Sequence, residues 1–439
     1  MDLKDKVRQA GIVGAGGAGF PTYVKLESRV EYYLANGAEC EPLLAKDDEI
    51  MKREAENILM GLNLAADYVG ADKRYIALKE KHKGAVGEFR RLCPKHKIEM
   101  QLLGDYYPAG DEYEVVYEIT GRLIPPEGLP LQVGCIVNNV ETLRNIKSAN
   151  EGRPVTHKYV TVAGAVKTPM TFEAPIGISI RELIDFAGGA TFYDDDVAVL
   201  DGGAMMGKVQ TDLSLPITKT SGGFIVLPKS NRLVYRKSMP KRQSDRIGKS
   251  ACDQCTYCTE FCPRYLLGYA IEPHKVMRSL GFEGEKRDNL SVHALLCCEC
   301  NLCSLYACPE DLEPRDACVH SKIALQQKGI KWEQTIPPKV HPMKEHRRVP
   351  VKKLQTRLGL NPYDVHAHFV EFDYKPQKVT IPLQQHIGAK CEAAVDVGAH
   401  VSLGDMIGRV PGDQLGAPVH SSVNGRVTNI DDSITIEVD

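Results

Sequence analysis

The sequence has no surplus of charge: 55 basic residues stand against 57 acidic ones, a net of −2 with histidine neutral. A protein whose main partner is nucleic acid needs a basic surface, so that class is set aside. No apolar run approaches the roughly 18 residues that a membrane-spanning helix needs; any tie to a membrane would run through another subunit. No leader is expected, because the first residues, MDLKDKVRQ, are polar where a secretory signal would be apolar. What remains is an ordinary globular composition, 43% apolar and 26% charged, with 439 residues for three or four domains. Against that background stand 14 cysteines. Without a leader they point to a reducing, cytoplasmic compartment and to metal sites rather than disulfides.

Two runs hold most of them. The first reads Cys252-D-Q-Cys255-T-Y-Cys258-T-E-F-Cys262-Pro263, the C-x2-C-x2-C-x3-C-P ligand run of a bacterial-type [4Fe–4S] site. The second reads Cys297-Cys298-E-Cys300-N-L-Cys303-S-L-Y-A-Cys308-Pro309, which is C-x2-C-x2-C-x4-C-P when Cys297 leads. Three thiolates spaced along one tight loop reach three corners of a cubane, and the fourth, before the proline, serves the other cluster. That rule assigns Cys252, Cys255, Cys258 and Cys308 to one cluster, and Cys262, Cys297, Cys300 and Cys303 to the other. Structural zinc is the alternative, but zinc needs two pairs rather than two runs that each end in Cys-Pro. Cys298 reads as a buried bystander. Cys40, Cys93, Cys135, Cys318 and Cys391 are isolated and read as small apolar residues. Two neighbouring clusters make a wire, which requires an electron source and a sink.

Near the start, GIVGAGGAGFPT places Gly14, Gly16 and Gly19 in a G-x-G-x-x-G pattern. Alone the pattern is weak, and with only Ile12-Val13 as apolar lead a full preceding strand is doubtful. Glycine backbone still allows a phosphate or a flat ring to approach N–H groups closely. The continuation adds Asn36-G-A-Glu39-C-Glu41-Pro42, Tyr107-P-A-Gly110-Asp111-Glu112 and Asn138-Asn139-Val140-Glu141-Thr142-Leu143. These motifs, in this order over residues 10–150, resemble the flavin-binding subunit of respiratory complex I and, more closely, the C subunit of the Rnf electron-transport complex. The resemblance implies an FMN held by the Gly-rich loop, with NADH stacking on the flavin. Carried over, Gly14, Gly16, Gly17, Ala18, Gly19 and Lys25 match the loop and its lysine, and Phe20 an aromatic suited to stacking on NADH. Asn36, Glu39 and Glu41 match the acidic loop beside the flavin. Asp111 and Glu112 match a paired-acid motif, and Asn138, Asn139 and Thr142 the motif near the FMN phosphate. The chain departs at Ala38, where complex I carries an aspartate.

The rest gives an α/β multidomain reading. Residues 1–150 form the FMN- and NADH-binding α/β domain, with a helix over 47–66 from its apolar periodicity and a strand at YIALKEKH. Residues 151–232 resemble the soluble-ligand-binding β-grasp domain of the same family, with Met205 and Met206 as core filler. A basic linker over 229–251 leads to a bacterial-ferredoxin-like 2[4Fe–4S] domain at 240–330, with helices over 265–280 and 313–328. Residues 331–378, with Pro337-Pro338 and a basic run at 341–348, read as an extended linker; the run reads as solvated, or as a dock for an acidic partner. Residues 379–439 resemble the barrel-sandwich hybrid of biotinyl and lipoyl carriers. The tip Ser421-Ser422-Val423-Asn424-Gly425 lacks the carrier lysine, so no biotin or lipoate is expected. The Rnf relatives have such a module at the N-terminus; its C-terminal place here resembles the cobalamin reductases of propanediol-utilisation operons.

The resemblance implies an oxidoreductase passing electrons from NADH through FMN and two [4Fe–4S] clusters to a redox protein or corrinoid-bearing partner. It also implies a hetero-oligomeric complex and allows a place within a bacterial microcompartment. Two alternatives stay open. One is an NADH-input subunit of a larger soluble assembly, such as a methylene-tetrahydrofolate reductase or bifurcating complex. The other is an iron–sulfur scaffold that no longer binds NADH. The ligand spacing itself predicts about eight iron and eight acid-labile sulfide per chain, two cubanes, in anaerobically purified protein; abundant zinc without sulfide would sink the wire.

Overall fold

The computed structural model describes residues 1–333 and 336–439. Its first unit is a four-stranded parallel sheet in the order Glu99–Leu103, Lys73–Lys79, Tyr32–Gly37, Cys135–Asn139. Strands buried on both faces read as unbroken apolar runs, as in Tyr32-Tyr33-Leu34-Ala35 and Cys135-Ile136-Val137. The expected helix over 47–66 lies within the helix Lys46–Val69, ended by Gly70 at φ 72°. It packs against the helix Val140–Asn150 at a close crossing, where a Cβ added to Gly61 would meet Leu143 O at 1.9 Å. No strand leads into the Gly-rich loop. A helix, Leu3–Gln9, precedes it, and only a single bridge pairs Val13 with Pro21. Two apolar residues are too few to hold a ladder.

The second unit is a six-stranded sheet, His368–Phe369, Met170–Pro175, His157–Gly164, Gly223–Pro228, Val197–Asp201 and Lys208–Gln210 in spatial order. Its helix Ile180–Phe186 starts with a capping box between Ser179 and Glu182. Met205 is fully buried, but Met206 is 52% exposed. Only the first is core filler; the second turns out toward open space beside the Gly-rich loop.

The segment 229–251 is not an open linker. It forms the helices Arg232–Lys237 and Lys241–Ala251, and buried Arg236 pairs with Glu313 at 2.7 Å and Asp311 at 3.0 Å. The helix expected over 265–280 is split into Pro263–Leu266 and Pro273–Ser279, with Gly268 at φ 96° between them and Pro273 opening the second piece. Pro314–Gln327 runs unbroken up to Gly329, which has φ 71°.

Residues 331–378 also depart from the linker reading; of these, 334 and 335 lie outside the described residues. Val349–Pro350 pairs with Tyr106–Tyr107, Val351–Arg357 is a helix, and His368–Phe369 adds an edge strand beside Met170–Thr171. The cause is apolar content: Val349, Val351, Leu354, Leu358, Leu360 and Ala367 are all buried. The basic run is spent inside the chain. Lys344 is buried and pairs with Glu114 at 3.0 Å and Glu118 at 2.6 Å; Arg348 also pairs with Glu118, and Arg347 with Glu260 at 3.1 Å.

The C-terminal unit stacks two sheets. One is ordered Lys378–Pro382, Ser433–Val438, Gly425–Ile430, His400–Val401; the other is Glu392–Ala393, Met406–Arg409, Val419–His420. Val379, Ile381, Ile407, Val427, Ile434 and Ile436 fill the space between. The tip that carriers project into solvent is buried at Ser421 and Ser422, and Ser422 Oγ donates to Ile176 O at 2.5 Å.

Gly61→Ala should lower stability by about 1–3 kcal/mol, the usual cost of overpacking. Gly87, exposed in the helix Lys83–His96 with nothing within 4 Å of an added Cβ, should gain about 0.5–1 kcal/mol as alanine. Denaturant melts of the pair check both signs; equal midpoints would contradict the crossing.

Candidate functional site

The Gly-rich loop closes on itself. Gly14 N–H donates to Phe20 O at 2.9 Å and Gly19 N–H to Gly14 O at 3.2 Å. Other elements hold it from behind: Ala15 N–H donates to Thr142 Oγ1 at 3.0 Å, and Lys158 Nζ donates to Ala15 O at 3.0 Å. Lys158 is fully buried and pairs with buried Glu141, which also takes Lys46 at 2.9 Å. Asn139 caps the helix Val140–Asn150 through Glu141 N–H and donates to Asp47 Oδ2 at 2.7 Å. Gly19 needs to be glycine: its φ is 66°, and a Cβ would meet Thr220 Cγ2 at 2.9 Å.

The exposed part of the loop faces space. Gly17 has φ 109°, and a Cβ there would meet nothing within 4 Å. Gly16 and Gly17 line two adjoining cavities of about 880 and about 270 Å³. Among the described residues the amides of Gly16, Gly17 and Ala18 donate to no protein acceptor. Consecutive free amides on a glycine turn make an anion cradle, so this loop fits the phosphate of a flavin mononucleotide.

The sequence-predicted residues divide between wall and support. Gly16, Gly17, Ala18, Glu41, Asp111 and Glu112 line the larger cavity; Asn36, Glu39 and Asn139 line the smaller. Gly14, Gly19, Phe20, Lys25, Asn138 and Thr142 are in neither wall. Lys25 Nζ instead donates to Val137 O at 2.7 Å and Asn138 Oδ1 at 3.3 Å, and Asn138 donates to Tyr33 Oη at 2.7 Å. Half-buried Phe20 closes the turn through its carbonyl. Asn36 bridges Gly110 O and Ala38 N–H, at 2.9 and 3.1 Å.

Burial governs the charges. It pushes the Glu39 carboxyl up to about 8, helped by the neighbouring Asp47 carboxylate. Glu41 is raised by burial, against the pull of the Met205 and Met206 amides, each 2.8 Å from its oxygens. Burial raises Glu112 and lowers Lys25, and each opposes the other's shift.

The larger cavity continues to Cys297 and Cys298, and the smaller to Cys298 and Cys300. Behind them the thiols gather in two groups. One small cavity is lined by Cys252, Cys255, Cys258 and Cys308. The second group interlocks: Cys262 lies beside Cys297, Cys300 beside Cys262 and Cys303, and Cys303 beside Cys297. Cys308 thus lies with the first triplet and Cys262 with the second, while Cys298 also lies beside Cys262 and Cys300; thiols in two such groups are a donor set that fits two cubanes. Gln254 and Thr256 flank Cys255 with φ 57° and 69°; Glu299 and Asn301 flank Cys300 with φ 61° and 69°. The repeat therefore pairs Cys252 with Cys297. The additional residue before Cys308 is taken up by a π-helical turn, Cys303–Ala307. Amide donors reach the sulfurs as well: Glu299 N–H to Cys297 Sγ and Leu312 N–H to Cys308 Sγ, both at 3.3 Å.

Several expectations change here. Cys298 is only half-buried and forms part of the cavity wall beside Cys300, and Cys318 is buried against Cys297 rather than isolated. Sequence reasoning missed Lys46, Asp47, Lys158 and Arg264, and it gave Tyr107 a place in a motif but no role. Tyr107 Oη donates to Cys300 O at 2.8 Å, and Arg264 grips Asp111. The charged run 46–49 at the head of an apolar helix was a usable signal, as was an arginine directly after Cys-Pro.

Comparison with known proteins agrees with this layout. Residues 7–148 match the Nuo51 FMN-binding domain, 159–209 the SLBB domain, 251–313 a 4Fe-4S dicluster domain and 365–438 the RnfC barrel sandwich hybrid domain. The chain is 42% identical over 437 residues to the cobalamin reductase PduS of Salmonella typhimurium (strain LT2), covering 99% of this chain and 96% of that protein. It is 42% identical over 436 residues to PduS of Citrobacter freundii, with the same coverages of 99% and 96%. It is 35% identical over 271 residues to the C subunit of the Na(+)-translocating ferredoxin:NAD(+) oxidoreductase complex of Acetobacterium woodii, covering 60% of this chain and 58% of that protein.

Gly17→Val places a β-branched side chain at a positive φ and into the open cradle, so it should abolish bound flavin while iron and sulfide stay unchanged. Flavin released by acid from the purified variant measures this; full retention would give the loop another role.

Proposed function

We propose, for a chain that belongs to the PduS family of cobalamin reductases, that it oxidises NADH and delivers the electrons singly to a corrinoid. FMN when bound accepts an electron pair and releases it one electron at a time, and two [4Fe–4S] centres carry single electrons onward. The observation that carries the reading is the continuous wall from Gly16–Ala18 to Cys297, Cys298 and Cys300.

The chain's own residues divide the work. The free amides of Gly16, Gly17 and Ala18 hold the phosphate, and Lys158 holds the Ala15 carbonyl behind them. Burial and the Asp47 carboxylate raise Glu39 to about 8, which lessens its repulsion toward that anion near neutral pH. Glu41, clamped by two amides, and the pair Asp111 and Glu112 line the chamber for the ring and the nicotinamide. Cys262, Cys297, Cys300 and Cys303 hold the cluster next to the chamber; Cys252, Cys255, Cys258 and Cys308 hold the outer one. The exposure of Cys255 supports the outer group as the one a partner reaches.

No helix among the described residues is long and apolar enough to cross a membrane. The partner is a corrinoid-bearing protein, and the likeness to PduS favours work inside a bacterial microcompartment. The stretch shared with an Rnf-type relative that is itself one part of a complex supports membership of a hetero-oligomeric assembly.

Cys308→Ala separates the steps. Anaerobic NADH should bleach the variant's flavin at the wild-type rate, while cob(III)alamin reduction should fall at least tenfold. Undiminished corrinoid reduction would mean that electrons leave from the flavin chamber directly. A wild-type flavin that NADH does not bleach would remove NADH as the donor.

A further inference from the structure

Arg264 lies between the flavin chamber and the inner thiol group and touches both. It follows Cys262 and Pro263 at the start of the short helix Pro263–Leu266. Its backbone, with that of Tyr265, lies against the Cys262 thiol. Its side chain reaches the other way. Nη1 and Nη2 lie 3.0 and 3.1 Å from Asp111 Oδ1 and Oδ2, and the guanidinium lies 3.4 Å from the centroid of the Tyr113 ring. The residue is 8% exposed, yet it lines the larger cavity together with Cys297 and Cys298. Nη2 makes the hydrogen bond to Asp111; buried Nη1 is held by charge alone and keeps its hydrogen-bond capacity unspent among the described residues.

A buried, permanently charged group beside a redox centre acts through its field, which water screens little. Reduction adds negative charge, so a nearby guanidinium stabilises the reduced form. The counter-charge on Asp111 offsets part of that field, so the pair sets the balance. Lys322, the other cation on this cavity wall beside the thiols, is spent on Cys297 O at 3.0 Å and Glu299 Oε1 at 3.3 Å, and it is less buried. Arg264 is therefore the cation whose backbone and side chain both reach across the boundary.

We propose that Arg264 is a positioning and potential-setting residue, which orients Asp111 at the flavin chamber and holds the inner cluster's reduction potential above that of the same cluster without it. This rests on the cluster assignment given under Proposed function. It makes the inner cluster an electron acceptor for the chamber and leaves the outer cluster, grouped around Cys252, Cys255, Cys258 and Cys308, unaffected.

The test is a redox titration of the two clusters by electron paramagnetic resonance on anaerobically purified full-length protein. Arg264→Gln should lower the reduced-to-oxidised ratio of one cluster at fixed potential at least tenfold, a shift of about 59 mV for a one-electron couple. The other cluster should not move. Arg264→Lys, which keeps the charge, should restore most of the shift. Asp111→Asn should move the same cluster the opposite way, and it keeps the proposal testable if Arg264→Gln fails to fold. Unchanged potentials in Arg264→Gln with full iron, sulfide and flavin would overturn the proposal, as would an Asp111→Asn shift in the same direction as Arg264→Gln. Wild-type protein without acid-labile sulfide would instead overturn the cluster assignment beneath it.

Discussion

A single buried carboxylate, Glu141, ties the chamber together. It sits between Lys46 and Lys158, all three nearly inaccessible to water. Each comes from a different part of the chain: the first turn of the long helix, the helix after the last parallel strand, and the first strand of the second unit. Removing one partner from such a group strands a buried charge and costs about 3–5 kcal/mol. What the arrangement provides is geometry. Lys158 holds the Ala15 carbonyl and Lys46 anchors Asp47, which in turn fixes Glu39 and Asn139. The Gly-rich loop can leave its amides free because its back is held by charges that cannot leave.

A second constraint shapes the cluster unit. The two thiol loops use left-handed residues at equivalent places around Cys255 and Cys300, so one backbone solution is used twice. The copies are not identical, because the π-turn Cys303–Ala307 absorbs an extra residue and still delivers Cys308 to the first group. The loops keep one shape, and the slack is taken up between them.

The parts legible in the sequence are those whose geometry is local. Cys252, Cys255 and Cys258 lie within a few residues of one another, so spacing alone implies that they share a cluster, and the ligand-run rule adds the crossing of Cys262 and Cys308. The Gly-rich loop and the motifs after it are legible as a resemblance. What escapes is contact across long stretches of chain. Nothing near Lys158 announces that it will meet Ala15, and Arg264 finds Asp111 more than a hundred residues away. The segment 331–378 is hidden for a different reason. Its prolines and basic run have linker composition, while the buried set Val349, Val351, Leu354 and Leu358 is short enough to be outweighed by them. Met205 and Met206 show the limit at its smallest: adjacent residues of one type, one in the core and one in the chamber wall.

The docked C-terminal module has a topological consequence. Its tip is bonded to Ile176, Ile387 N–H donates to Gly19 O at 3.0 Å, and Lys219 joins Gly11 O to Pro418 O at 2.8 and 2.6 Å. Residue 11, near one end of the chain, thus lies against residue 418, near the other. The module braces the loop through its surface, so the brace is indifferent to which peptide bond attaches it. A rearrangement that moved the module from tail to head could keep these contacts, since none of them depends on the segment that attaches it. The order of domains along such chains is then free to drift while the assembled object stays the same.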